Sequence, residues 1–205
     1  MNELTADNLH LWRGEHHVLR GVSFELHGGQ CLQVTGANGA GKTTLLRALC
    51  ALVPLESGQV RWRGRDVAAD RGAFHAQLDY LGHDNALKAD LTAVENLRFA
   101  ARLKRRLNPA EITAALERTG VADSGSSLLR RLSAGQRRRV ALARLLLTGG
   151  ALWVLDEPGS NLDQRGQALL AELIEAHLST GGAAVVATHQ ALALPAPKLL
   201  PLALQ

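Results

Sequence analysis

Apolar and polar side chains alternate with a period of two over Leu4 to Trp12 and again over Val18 to Leu26. That period predicts two half-buried strands. His27-Gly28-Gly29 reads as a turn, and Cys31 to Thr35 as a short strand. A glycine-rich stretch then opens the helical pattern TTLLRALCALV, which Pro54, Ser57 and Gly58 stop. Gln59 to Arg63 has strand character, so β structure dominates the first third. The pattern turns helical from Leu91 to Gly120, with Leu91, Val94, Leu97 and Leu103 recurring at helical spacing. Pro109, after Asn108, takes the favoured first-turn position of a second helix. Asp123 to Ser127 is a polar loop, and after Ser133 the segment GQRRRVALARLLL predicts a strongly amphipathic helix.

Further on, the apolar run Ala151 to Leu155 ends in acids, as a strand buried on both faces would. Gln164 to Ser179 is helical, Ala183 to Ala187 is another buried strand, and His189 follows it. Strands alternating with helices predict an α/β fold with a parallel core. The helical stretch from about 73 to 135 is read as an insertion into that core. There is no internal repeat and no long linker.

Composition narrows the class. The chain has 205 residues, 46% apolar and 20% charged, which excludes a disordered chain, a collagen-like fibre and a coiled coil. No stretch reaches the roughly 18 uninterrupted apolar residues of a membrane span. Val140 to Leu155 is interrupted by Arg144, Gly149 and Gly150, and the tail Ala191 to Leu204 by Pro195, Pro197 and Pro201. The opening MNELTADNLHLW carries acids and no apolar signal region, so the chain is expected neither to span a membrane nor to be secreted. Cys31 and Cys50, the two cysteines, are expected to be buried reduced thiols. Net charge is +4, with basic clusters at Lys104 to Arg106, Arg130-Arg131 and Arg137 to Arg139 that read first as solvated helix faces.

The candidate chemistry begins at Gly36-Ala37-Asn38-Gly39-Ala40-Gly41-Lys42-Thr43-Thr44, which fits GxxxxGK[ST] between a strand and a helix. Glycines let backbone N–H groups turn inward around phosphates, and the following helix aims its N-terminus at the same charge. Lys42 supplies a point charge for the outer phosphates, and Thr43 an oxygen for Mg²⁺. Asp156 and Glu157 end the apolar strand, on the side of a parallel sheet where a phosphate loop lies. Asp156 is the candidate metal ligand, and Glu157 the candidate acceptor of a proton from an attacking water. Ser133, at the head of Leu132-Ser133-Ala134-Gly135-Gln136, reads as a helix cap or as part of a second anion site.

LSAGQ resembles the LSGGQ signature of ABC-type ATPases, Glu157-Pro158 with Ser160-Asn161-Leu162-Asp163 resembles their D-loop, and His189 matches their switch histidine. The motifs occur in that family's order along essentially the whole chain. The resemblance implies a P-loop NTPase core of ABC type with an N-terminal antiparallel β-subdomain and an inserted α-helical subdomain. It implies one ATP-binding domain over 1–205, with the core at about 1–72 and 136–205 and the helical part at about 73–135. It implies ATP and Mg²⁺ as cofactors, with catalysis resting on Lys42, Glu157 and His189. It also implies two copies paired head to tail, so that Ser133, Ala134, Gly135, Gln136 and Asp163 of one face the nucleotide of the other. Trp12 stands where the family places an aromatic that stacks on adenine. His83 occupies the position of the family's usual loop glutamine, a candidate metal or water ligand that can also take up a proton.

YLGH at that loop and LSAGQRRRVALARL at the signature helix further resemble the ATP-binding subunits of cytochrome c maturation systems, often called haem exporter ATPases. That resemblance implies a peripheral protein on the cytoplasmic face of the inner membrane. Its implied partners are integral membrane subunits and, indirectly, haem-handling proteins. An ATPase of another ABC transporter would keep the same nucleotide chemistry. Soluble relatives acting on DNA or the ribosome fit less well: the span between Thr43 and Ser133 is too short for a long coiled coil, and the motifs occur once. No nucleic-acid partner is therefore expected. A non-catalytic nucleotide-binding module is disfavoured by the intact Lys42, Asp156, Glu157 and His189.

Overall fold

The computed structural model describes residues 2–204. The elements run β1 (Asn2–Arg13), β2 (His16–His27), β3 (Cys31–Thr35), α1 (Lys42–Leu49), β4 (Ser57–Trp62) and β5 (Arg65–Asp66). There follow α2 (Arg71–Gln77), β6 (Leu78–Leu81), α3 (Ala93–Arg102), α4 (Pro109–Arg118) and α5 (Ala134–Thr148). Last come β7 (Leu152–Asp156), α6 (Gln164–Ser179), β8 (Ala183–Ala187) and β9 (Leu199–Ala203).

The strands form two sheets. An antiparallel sheet has the order β2-β1-β4-β5, and a second sheet, parallel throughout, has the order β6-β7-β8-β3-β9. LWVLD and AAVVA, the sequences of β7 and β8, are buried at every position because both faces of the parallel sheet are covered. One face packs with α1 and the antiparallel sheet through Leu32, Val34, Leu45, Leu46 and Leu49. The other face packs with α5 and α6 through Leu142, Leu145, Leu170 and Ile174. A third cluster joins α3 and α4 to α5 through Leu97, Ile112, Leu116 and Val140.

Three expectations change. First, the 73–135 segment is not helical throughout: α2 ends at Gln77 and a strand follows it. Leu78–Leu81 is a parallel strand beside β7. A charged residue, Asp79, sits inside that strand and hid it. Asp79 is 5% exposed, pairs with Lys104 at 2.6 Å and accepts from Gly150 N–H at 2.7 Å. Second, the proline-broken tail ends in a strand, β9. Among the described residues it pairs only with β3, at the sheet edge, where Pro201 costs no ladder bond that the fold needs. Third, α5 is less one-sided than its pattern suggests. Val140, Ala143 and Leu147 face the helical unit, while Ala141, Leu142 and Leu145 face the sheet.

Arg105, Arg106, Arg130 and Arg131 of the basic clusters are exposed, as solvated faces would be, and Arg138 alone of the clusters is buried. Arg105 pairs with Glu111 at 2.6 Å and donates to Leu147 O at 2.8 Å. Arg130 pairs with Asp90 at 2.7 Å, and Arg139 with Asp163 at 2.9 Å. Both cysteines are buried free thiols, and burial pushes the Cys31 thiol up to about 12.

Candidate functional site

The loop between β3 and α1 is shaped by glycine. Gly41 has φ 94° and its α-carbon lies so close to β2 that a Cβ would meet Val18 Cγ1 at 2.6 Å. Gly39, with φ 88°, has open space where a side chain would stand. Gly41 is also the N-cap of α1 and offers no side-chain cap, whereas Asp70, Thr92, Asn108, Ser133 and Asp163 cap α2 to α6 with their side chains. The first-turn N–H groups of α1 are therefore left for an anion.

Around this loop lies a cavity of about 540 Å³. Asn38, Gly39, Gly41, Lys42, Thr43 and Thr44 line it from the loop side. Gly36, Ala37 and Ala40 do not line it but support the loop from behind. Lys42 Nζ donates to Gly36 O at 2.8 Å and Ala37 O at 3.1 Å, and Ala40 N–H donates to Ala37 O at 3.2 Å.

The opposite wall comes from the ends of β7 and β8. Asp156, 2% exposed, accepts a hydrogen bond at Oδ2 from Thr43 Oγ1 at 2.8 Å. Glu157 follows with φ 47°, a left-handed conformation that costs a non-glycine residue roughly 1 kcal/mol. That bend turns its carboxylate into the cavity, where Oε1 is buried and accepts no hydrogen bond. His189 Nε2 stands 3.4 Å from this oxygen and 3.2 Å from Lys42 Nζ. Lys42, Asp156, Glu157, His189 and Thr43, read separately along the chain, thus converge on one cavity. His83 lines the same cavity from the loop after β6.

Other expected residues stand apart from it. Trp12 does not line the cavity. Its ring stacks on His17 at 4.3 Å and 4°, and it is 48% exposed. Neighbouring Arg13 and Val18 line the cavity instead. Ser133 and Gln136 form a reciprocal cap at the exposed start of α5: Gln136 N–H donates to Ser133 Oγ at 3.1 Å, and Ser133 N–H to Gln136 Oε1 at 2.8 Å. Ala134 is exposed beside them. A Cβ on Gly135 would meet Asn161 O at 2.9 Å, so glycine is required there for the close approach of the first turn of α5 to the loop at Asn161. Asp163 caps α6 through Gly166 N–H at 2.8 Å and is largely exposed.

The sequence reading missed Arg138, Arg13, Val18 and Ser160. Ser160 lines the cavity and belongs to a motif already recognised. Arg138, inside the run Arg137 to Arg139, is 1% exposed and bonds to the backbone of Asp156, Glu157 and Pro158. Only its place one helical turn into α5, on the side facing β7, separates it from its less buried neighbours, and nothing in a run of three arginines signals that.

Residues 19–160 match the family model for ABC transporters. The chain is 46% identical over 194 residues to the cytochrome c biogenesis ATP-binding export protein CcmA of Dechloromonas aromatica, covering 94% of this chain and 95% of that protein. It is 48% identical over 190 residues to a protein of the same description from Cupriavidus metallidurans, covering 92% of this chain and 90% of that one. A solved structure of the ATP binding subunit of an ABC transporter superposes with a TM-score of 0.82 at 26% identity, over 91% of this chain and 79% of that chain. With the phosphate loop, the paired acids and the signature helix all in place, the chain belongs to the ABC transporter family, as one of its ATP-hydrolysing domains.

Proposed function

We propose that this chain is the ATP-binding subunit of a membrane ABC complex serving cytochrome c maturation. It works as a pair of copies on the cytoplasmic face of the inner membrane, beside integral membrane subunits and, through them, haem-handling proteins. The observation that carries the catalytic part is the convergence of Lys42, Glu157 and His189 at a cavity that a capless helix also faces, with His189 Nε2 at 3.2 Å from Lys42 Nζ and 3.4 Å from Glu157 Oε1. The relatives' descriptions support the maturation role.

Lys42 and the α1 N-terminus hold the outer phosphates of ATP. The donors present fit Mg²⁺: Thr43 Oγ1 and Asp156 Oδ2 are hard oxygens 2.8 Å apart. Among the described residues no group of three or more His, Cys, Asp or Glu could hold a metal by itself, which suits an ion that shares its shell with phosphate oxygens and water. Bound there, Mg²⁺ would neutralise phosphate charge. Glu157 Oε1, with no donor of its own, takes a proton from the attacking water as that water's oxygen bonds the γ-phosphorus and the bond to the ADP oxygen breaks. His189 orients this carboxylate and the water.

The exposed Ser133–Gln136 cap and Asp163 lie outside the chain's own cavity, which suits a role at the nucleotide of the second copy. The exposed Trp12 ring offers a face for adenine. No helix among the described residues is long and apolar enough to cross a membrane.

The test is a pull-down of the tagged protein from gently solubilised source membranes, with ATP turnover measured on the eluate. Recovery with small multi-spanning proteins and a haem-handling chaperone is expected, with turnover lost in Lys42→Ala. Recovery with unrelated permease subunits would discard the maturation role and keep the ATPase. Wild-type-like turnover in Lys42→Ala would refute the site.

A further inference from the structure

The Arg138 guanidinium is enclosed by acceptors that all belong to working segments. Nε donates to Pro158 O at 2.9 Å, and Nη2 to Asp156 O at 3.1 Å and Glu157 O at 2.6 Å. Nη1 donates to Gly82 O at 3.1 Å and Asn85 Oδ1 at 2.9 Å. Five acceptors thus meet the five N–H donors of an arginine fork. Three of them are successive carbonyls around the left-handed bend at Glu157. The other two flank His83 on the loop after β6. The side chain itself hangs from α5, whose first residues carry LSAGQ.

Among the described residues Arg138 has no ion-pair partner at contact distance; a buried cation is kept here by carbonyls alone. Burial lowers its pKa to about 10, while the Asp156 and Glu157 carboxylates pull the other way, so it stays cationic at neutral pH. A planar five-donor fork can serve two segments at once. An ammonium, with three donors on a point, cannot do the same.

We propose that Arg138 is a positioning residue for hydrolysis, one guanidinium that holds the Glu157 backbone and the His83 loop in a single register with the LSAGQ helix. It touches neither substrate nor metal and acts through the placement of the Glu157 carboxylate. A displacement of the order of 1 Å at such a group is enough to cost about 10²-fold in rate. The inference rests on the reading of Glu157 as the base.

The test measures steady-state kcat and KM for ATP, ATP affinity and thermal unfolding in Arg138→Gln and Arg138→Lys. Arg138→Gln is expected to lower kcat by about 10- to 100-fold while KM and ATP affinity stay within about threefold, because the phosphate loop is untouched. Arg138→Lys, which keeps the charge and some of the donors, is expected to fall between Arg138→Gln and the parent. In a Glu157→Gln background, single-turnover rates are expected to show no further loss from Arg138→Gln, since both changes act on one group.

An unchanged kcat, a parallel loss of ATP affinity, or a further tenfold loss in the double variant would each overturn the proposal. If Arg138→Gln does not fold, Asn85→Ala removes one acceptor and leaves the arginine. A fall in kcat at constant KM is expected there, and an unchanged kcat overturns the link to the His83 loop. Glu157→Gln at full rate would sink the base itself, whereas an additive double variant sinks only the role of Arg138.

Discussion

Glu157 permits a separation of chemistry from stability. Glu157→Gln keeps the shape of the side chain and leaves the Arg138 bonds to the backbone of residues 156–158 in place. It removes the one property assigned to Oε1, the capacity to accept a proton. A general base contributes about 10²–10⁴-fold, equal to about 3–5 kcal/mol of transition-state stabilisation. Glu157→Gly removes the same carboxylate by another route. At φ 47° glycine relieves roughly 1 kcal/mol of left-handed strain. The greater freedom of glycine in the unfolded chain offsets that by about 0.5–1 kcal/mol. The two terms nearly cancel, so the midpoint of thermal unfolding is expected to stay close to the parent's. Both variants should bind ATP at parental affinity, measured by titration with a fluorescent analogue, and turn over about 10²–10⁴-fold more slowly, measured by phosphate release. Turnover within threefold of the parent in either variant would refute the assignment. So would a loss in Glu157→Gly that is absent in Glu157→Gln.

Two further outcomes are expected. His83→Gln replaces an imidazole in the cavity wall with an oxygen donor, and it should raise Mg²⁺-supported turnover relative to Mn²⁺-supported turnover; identical metal ratios in both proteins would show that the His83 ring does not reach the metal or its water. Burial lowers the His177 pKa from its ordinary 6.5, with the ring stacked on Trp153 at 4.1 Å. The folded state therefore favours the neutral imidazole, and this contribution is present above the unfolded pKa and lost as pH falls below about 6.5. His177→Phe keeps the stack and should flatten the fall of thermal stability between about pH 7.5 and 5.5, and an unchanged slope would assign that fall to other groups.

Much of this protein is written locally, and those parts were legible. The phosphate loop is contiguous because one tight turn must present successive N–H groups, so Gly36 to Thr44 declare themselves in order. The strands β7 and β8 are legible because a doubly covered strand must be apolar throughout. Motif order along the chain carried the family likeness. Other features depend on what lies across the fold. Asp79 is tolerated inside β6 only because Lys104 and Gly150 reach it from distant segments, so its strand could not be seen in a local pattern. Pro201 fits β9 only because that strand ends the sheet. The pairing of Thr43 with Asp156 and the meeting of Lys42, His189 and Glu157 come from parallel strand ends brought side by side. Arg138 is the sharpest case. Its neighbours Arg137 and Arg139 share its chemistry, and only the rotation of α5 against β7 sends one guanidinium inward to the Glu157 bend. Residue types and short-range spacing determine which groups are available; tertiary packing decides which of them lose their water and find each other, because burial and distance are properties of the assembled core.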